Sequence, residues 1–462
     1  ATDSKEMLAK LILDGVDMFR LNMAHASHKW VDDAMWHIRE ASDEVERHIA
    51  VMMDVKGPEI RTGNVETPID LKTGDHFEFY VETAAPTGDI PAVSVNYQQL
   101  PNDLEIGSTV LVDSGLVHMR VLDKDDAHVR CEVLTPGELG SKRHINLPGV
   151  FVNLPCLTEK DKEDLKAGVN AGIDYVALSF VRQASDIRKL RAFLDELDSK
   201  AKIIAKIEDQ AGVRNMEQII EEADGIMVAR GDLGVEIDYF KLPLVQVDLV
   251  KACRAAGKPV IIATHLLESM VNSPIPTRAE ISDVSNAVRE RADAVMLSGE
   301  TTTGAYPREA VQVMKNVIQS IEPTVKGEMN KKIQLKKPKF KMLRSAAVLA
   351  QDLKNSGIVV FTRSGELAYM LAGLRARKVP IYAFTDVEPI FRQLMLLWGV
   401  EPFLMDFSDD PEETIVNALA YLNRKNWRQV DDWLVVITNV LANEQIIDSL
   451  QLRQVPEITE PA

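Results

Sequence analysis

The chain has 462 residues, 46% of them hydrophobic and 27% charged, with a formal net charge of −17. That composition suits a large buried core spread over roughly two to four domains. The acidic balance disfavours nucleic acid and anionic lipid as partners, no apolar run approaches the roughly 20 residues that cross a bilayer, and the first residues lack a secretory pattern, so a cytoplasmic location is expected.

Residues 4–13 read as a helix with Ser4 as its N-cap. Apolar runs at 16–21 and 49–53 follow, and the same kind of run returns at 175–178, 202–207, 225–229, 259–263 and 293–297, each trailed by helical periodicity. Continuous β-branched runs alternating with helices indicate parallel strands buried on both faces. Their number points to a (β/α)8 TIM barrel with the first strand missing, since seven are counted where roughly eight are usual. The chain also does not start with Met and is expected to be a processed, truncated or partial form.

Between 58 and 152 short alternating stretches (76–81, 108–112, 116–122, 128–134) are punctuated by Gly, Pro and Asp-Asp turns, as in a small β-barrel domain inserted into the larger one. The basic run at 331–339 lacks interleaved aromatics and reads as a solvated linker. Beyond it come a helix at 342–354 and strands at 357–361, 379–384 and 433–438, an open α/β sheet. The expected domains are therefore 1–56 with 153–325, 57–152, and 326–462. Cys131, Cys156 and Cys253 lie far apart without metal-ligand spacing, as in a reducing compartment.

Charges collect where the apolar runs end. Arg20 and Asn22, Lys206 and Glu208, Arg230 and Asp232, and Ser298 and Glu300 stand two apart, which puts each pair on one face of a strand. Asp54 and Thr264 occupy equivalent ends. In a barrel that face looks into the mouth, where active sites are built. Any single pair reads equally well as an ordinary polar strand end; the recurrence around the ring favours a site. Glu208 and Asp232 are the candidate Mg²⁺ ligands, since Mg²⁺ takes one or two carboxylates and completes its octahedron with substrate oxygens and water. A buried salt bridge between Glu208 and Lys206 is the alternative. Lys206 is the cation that phosphoryl transfer needs, and the Gly-bearing turn at 229–234 offers free amides to a carboxylate or phosphate.

Phe19-Arg-Leu-Asn-Met-Ala-His25, Asp54-Val-Lys-Gly-Pro-Glu-Ile-Arg-Thr-Gly63, Asn146-Leu-Pro-Gly149, Lys206-Ile-Glu208, Met227-Val-Ala-Arg-Gly-Asp-Leu-Gly-Val-Glu236, Pro276-Thr-Arg-Ala-Glu280 and Met296-Leu-Ser-Gly-Glu-Thr301 resemble the motifs of pyruvate kinases, in the order that family has them. The resemblance implies phosphoryl transfer from phosphoenolpyruvate to ADP, an inserted lid, a C-terminal regulatory domain and a homotetramer. It further implies that Glu208 and Asp232 bind Mg²⁺ or Mn²⁺, that Arg20 and Lys206 hold the transferring phosphate, and that the amides of Gly231 and Asp232, with Thr264, hold the substrate carboxylate. Thr264 and Ser298 would relay the proton to the enolate carbon, and Asn22, His25, Arg61 and Arg143 would face the nucleotide. Asn22, Asp54 and the Val55 carbonyl would bind K⁺ in the company of Glu59. Ala24 stands where the family usually has a Ser ligand to K⁺, Val55 where Thr is common, His265 where Gln is usual, and His144 where Gly is common. Thr362, Arg363, Ser364 and Gly365 resemble an effector phosphate loop, but Glu366 sits beside it and the Gly-rich loop expected near the end is replaced by 439–444. Two other readings are a barrel lyase or aldolase acting on enolates, and a catalytically impaired homologue with a structural or regulatory role.

Overall fold

A computed structural model describes all residues except 1, 25, 89, 327–328, 443–444 and 458–462, and the side chains of 439–447 likewise lie outside the described residues. Helix Lys5–Asp14 starts where Ser4 Oγ accepts from the Met7 amide at 3.3 Å and stops at Gly15, whose φ of 115° is left-handed.

Strands β1 (Met18–Asn22), β2 (Ala50–Val55), β3 (Tyr175–Leu178), β4 (Lys202–Ile207), β5 (Gly225–Ala229), β6 (Val260–Ala263) and β7 (Ala294–Met296) form one parallel sheet in that order. All seven expected strands are present. The sheet is that of a (β/α) barrel in which, among the described residues, β1 and β7 remain its two edges. Side chains alternate across it: Val51, Met53, Val176, Leu178, Ile203 and Ala205 pack outward with the helices, whereas Met52, Tyr175, Ala177, Ile204, Met227 and Ile261 fill the interior.

Between β2 and β3 the chain builds a separate six-stranded sheet in the order Ile145–Asn146, Thr109–Val112, Val117–Lys124, His128–Val133, His76–Val81, Ala92–Val95. Its own core includes Phe77, Phe79, Val110, Met119 and Cys131, all fully buried. The expected strands appear here; Ala92–Val95, which pairs parallel with His76–Val81, was not anticipated.

After helix Pro338–Asp352, strands β8 (Gly357–Phe361), β9 (Ile381–Thr385), β10 (Val400–Leu404), β11 (Trp433–Ala442) and β12 (Gln445–Gln454) form a sheet in the order β10-β9-β8-β11-β12. Only the β11–β12 pair is antiparallel. Pro402 is tolerated in β10 because that strand is an edge.

This third sheet is locked to the barrel at the end away from its mouth. Asp174, 1% exposed just before β3, receives Arg392 Nε at 2.6 Å and the Val51 amide at 2.8 Å. Gln393 Nε2 donates to the Lys200 carbonyl at 2.9 Å, and the Tyr175 hydroxyl donates to the Gln393 carbonyl. Leu396 then enters the barrel's interior cluster and forms its floor. Leu396→Ala should therefore cost about 2–5 kcal/mol by removing buried methyl groups and leaving a void. Scanning calorimetry would read this as a lower Tm, against a Leu116→Ala control at a site 67% exposed. Equal small shifts for both would show that the floor does not depend on that contact.

Candidate active site

Arg20, Asp54, Lys206 and Glu208 form one continuous ionic chain at the C-terminal ends of β1, β2 and β4. Arg20 Nε lies 2.6 Å from Asp54 Oδ2; Lys206 Nζ lies 3.2 Å from Asp54 Oδ1 and 3.0 Å from Glu208 Oε1. Asp54 is 2% exposed, Glu208 1% and Lys206 9%. Charges this deep are costly unless each is paired and hydrogen-bonded. Two neighbours complete the arrangement: Lys206 donates to Ser179 Oγ at 2.8 Å, which donates to the Val55 carbonyl at 2.8 Å, and the Phe180 amide donates to Glu208 Oε2 at 2.7 Å.

The electrostatics follow from who faces whom. Burial works against the charge on Asp54, yet Arg20 and Lys206 hold its carboxyl below the usual range. Burial also opposes the charge on Lys206, but Asp54 and Glu208 together outweigh it and raise the amine to about 12. Glu208 goes the other way: burial pushes it up to about 7, Lys206 pulls against that, and Asp232 and Asp54 add like charge. Lys206 serves two carboxylates, so the pair does not neutralise Glu208 in full.

The expected bridge between Lys206 and Glu208 is therefore present and does not exclude a cation. Among the described residues no group of three or more His, Cys, Asp or Glu side chains could hold a metal. Two acidic residues, Glu208 and Asp232, are what a hard cation with several substrate and water ligands requires, and a divalent ion would offset both the burial and the like charge that raise Glu208. The donor set fits Mg²⁺.

Two of the four strand-end pairs are not strand pairs. A helix, Arg230–Glu236, begins directly after β5, so the alternation argument fails for Arg230 and Asp232. Arg230 instead binds Asp283 at 2.7 Å and the Thr264 carbonyl at 2.7 Å. Ser298 and Glu300 likewise open helix Gly299–Thr302, and Glu300 accepts from the Leu267 amide at 3.0 Å and the Ser298 amide at 2.7 Å. It braces two loops.

Thr264 and His265 both adopt left-handed backbone, with φ of 66° and 54°, a strained conformation for side-chain-bearing residues. Thr264 Oγ1 accepts from the Gly231 amide at 2.8 Å and donates to the Ala263 carbonyl at 2.7 Å. A Cβ on Gly231 would sit 3.3 Å from His265 Cε1 and 3.4 Å from Thr264 Oγ1, so this approach favours glycine. Ser298 Oγ is buried and without a partner among the described residues.

Arg61 and Arg143 meet across the base of the inserted sheet, where the Thr62 amide donates to the Arg143 carbonyl at 2.9 Å and Arg61 pairs with His144. Arg61 Nε reaches Glu59 at 2.7 Å and Arg143 Nη1 reaches Asp113 at 3.3 Å. Burial keeps His144 below its ordinary value, and its ring lies 5.8 Å from that of Phe180. His25 lies outside the described residues. Of the K⁺ candidates, Asn22 Oδ1 accepts from the Ala24 amide at 3.1 Å, while Asp54 and the Val55 carbonyl are engaged as described above.

In the C-terminal sheet Thr362, Arg363, Ser364 and Gly365 link β8 to helix Glu366–Leu374 at the point where strand order reverses. Thr362 Oγ1 accepts from the Gly365 amide at 2.9 Å and Arg363 pairs with Asp386 at 2.6 Å. Lys337 pairs with Glu366 at 2.5 Å beside this loop. Within 439–444, residues 443–444 and the side chains of the rest lie outside the described residues.

Ser179 and Phe180 escaped the sequence reading. The available signal was positional: they directly follow β3, at the level where neighbouring strands carry Asp54 and Lys206.

The chain is similar to known proteins over most of its length. Residues 1–311 match the family "Pyruvate kinase, barrel domain" and residues 341–448 match "Pyruvate kinase, alpha/beta domain". The chain is 41% identical over 430 residues to pyruvate kinase isozyme G, chloroplastic, of Nicotiana tabacum, covering 92% of this chain and 76% of that protein. It is 40% identical over 427 residues to a pyruvate kinase of Staphylococcus aureus (strain MRSA252), covering 91% and 72%. The crystal structure of a pyruvate kinase from Cryptosporidium parvum superposes with a TM-score of 0.92 at 33% identity, over 98% of this chain and 94% of the other.

Glu208 must lose its proton before a cation can replace it. Mn²⁺ affinity, measured by calorimetry, should fall about tenfold per pH unit below about 7 and level off above it. Because the carboxyl is raised from 4.5 to about 7, its contribution to the stability of the metal-free protein is full below 4.5 and is lost as pH rises through about 7. Mn²⁺ should restore that loss. An affinity flat from pH 6 to 8 would contradict the assignment.

Proposed function

The chain belongs to the pyruvate kinase family, and so is a phosphotransferase that moves the phosphoryl group of phosphoenolpyruvate to ADP, giving pyruvate and ATP; we propose that Lys206, Arg20, Glu208 and Asp232 carry this chemistry. The supporting observation is Lys206, a buried ammonium with its charge favoured, held between Asp54 and Glu208.

Mg²⁺ or Mn²⁺ on Glu208 and Asp232 would neutralise charge on the phosphate and enolate oxygens. Arg20 and Lys206 hold the phosphate while a terminal oxygen of ADP attacks phosphorus and the bond to the enol oxygen breaks, leaving its electron pair as enolate. Lys206 stays charged at any physiological pH, so it meets the growing negative charge without moving a proton. The Gly231 and Asp232 amides receive the substrate carboxylate. Since Thr264 Oγ1 now occupies the Gly231 amide, that hydroxyl turns on binding and becomes available to the proton relay. Ser298, whose buried hydroxyl lacks a partner among the described residues, joins Thr264 and water in delivering the proton to the enolate carbon.

We assign catalysis to 1–56 with 153–325, closure to 57–152 and regulation to 326–462. Asn22, His25, Arg61 and Arg143 face ADP, and closure of the inserted sheet excludes water, the competing acceptor. Thr362, Arg363, Ser364 and Gly365 take a phosphorylated effector. K⁺ uses Asn22, Asp54 and the Val55 carbonyl, with no hydroxyl from Ala24. Exposed Tyr239, Phe240 and Leu244, at 80%, 64% and 66%, support self-association into a homotetramer. Three buried free cysteines support a reducing compartment, which we take as the cytoplasm. Among the described residues no helix is long and apolar enough to cross a membrane.

A lactate-dehydrogenase-coupled assay with phosphoenolpyruvate, ADP and Mg²⁺ tests the whole reading, and absence of ADP-dependent pyruvate would end it. In the same assay Lys206→Met should lower kcat by about a hundredfold or more with KM little changed. A raised KM at unchanged kcat would contradict the role given to this lysine. Replacing K⁺ with tetramethylammonium should depress the rate; indifference would remove the monovalent site.

A further inference from the structure

At the opposite end of β7 from Ser298, the junction of barrel and C-terminal sheet forms a half-open cavity of about 440 Å³. Its walls are largely apolar, with Val288, Val295, Ile318 and Trp398 among them. Its charges are unbalanced. Arg291, Arg375, Arg377 and Lys378 line it against Asp293 and Glu322, four cations to two carboxylates, in a chain whose net charge is −17.

Arg375 is the informative residue. Only 3% exposed, it gives Nη2 to Asp293 Oδ2 at 2.7 Å and to the Arg291 carbonyl at 3.1 Å, and its guanidinium stacks 4.8 Å from the Trp398 ring centre. Its Nε and Nη1 are buried without a hydrogen-bond partner among the described residues. Idle buried donors on a charged group are unfavourable unless something accepts from them. The carboxylates at hand are already engaged, Asp293 with Arg375 and the Val260 amide and Glu322 with the Trp398 indole. Burial and the neighbouring guanidiniums of Arg375 and Arg377 push Arg291 below its ordinary value, a sign of like charges crowded together.

A guanidinium fork suits a carboxylate or phosphate, and a pocket of this size with one aromatic wall suits a small molecule. We propose that this cavity binds a small organic anion with a flat apolar body, its acidic group taken by Arg375, Arg377 and Lys378 and its body lying against Trp398. The site is separate from the barrel mouth and from the 362–365 loop, and it does not rest on the catalytic assignment.

Titration calorimetry of the full chain in EDTA, with phenyl phosphate, inorganic phosphate and phenol as probes, tests this. Phenyl phosphate should bind one to one, at least tenfold more tightly than either half alone. The double variant Arg377→Glu with Lys378→Glu, both exposed side chains, should weaken it about tenfold or more, and Arg375→Met should abolish it. Lys206→Met should leave it unchanged. If circular dichroism shows Arg375→Met unfolded, the double variant decides alone. Phenyl phosphate binding no tighter than inorganic phosphate, insensitivity to the double variant, or loss in Lys206→Met would each overturn the proposal.

Discussion

Everything at the barrel mouth depends on keeping three nearly fully buried charges, Asp54, Lys206 and Glu208, in mutual contact. Taking any of them out of water is expensive, and the cost is offset only because each finds partners of fixed geometry. Asp54 has two cations, and Lys206 has two carboxylates and a hydroxyl. Glu208 is the exception. It has one amide, a shared lysine and a carboxylate neighbour in Asp232, so its environment lacks positive charge. That imbalance is what would favour the divalent ion proposed for Glu208 and Asp232.

The inserted sheet approaches this mouth through few connections. Asn146 Nδ2 donates to Glu236 Oε1 at 2.8 Å, and Gln210 Nε2 holds the carbonyl of that same glutamate at 2.6 Å. Burial raises Glu236 to about 7, so the link between the sheet and the helix bearing Asp232 titrates near neutrality. Asn146 Oδ1 is buried and lacks a partner among the described residues. A joint of this polar kind would suit the closure proposed for 57–152.

Much of this was legible in the amino-acid order, for a physical reason. Strands buried on both faces carry few polar residues before their last positions, so runs such as Gly225–Ala229 stand out and the charges that close several of them mark the mouth. Where a helix starts without a loop, the same rule misleads: Arg230 looks like a strand-end cation and is a brace to Asp283. Ser179 was invisible because a serine after an apolar strand has no distinctive chemistry until Lys206 is brought to it from the next strand. Strand Val400–Leu404 was hidden by Glu401 and Pro402, which only an edge position accommodates. The elevation of Glu208 comes first from its burial, with like charge from Asp232 adding to it, and the depth of burial is what residue spacing does not encode.

The floor of the barrel is borrowed. Leu396 belongs to the C-terminal part of the chain, yet it joins the same interior cluster as Ile204 and Met227, of which Ile204 stands two positions before Lys206 and Met227 pairs with it in register. Close-packed interiors are stiff and pass strain onward rather than absorbing it. Leu396 thus seats the C-terminal part in the barrel as a plug seats in a cylinder, so a displacement of that part would be felt by the strand that carries Lys206.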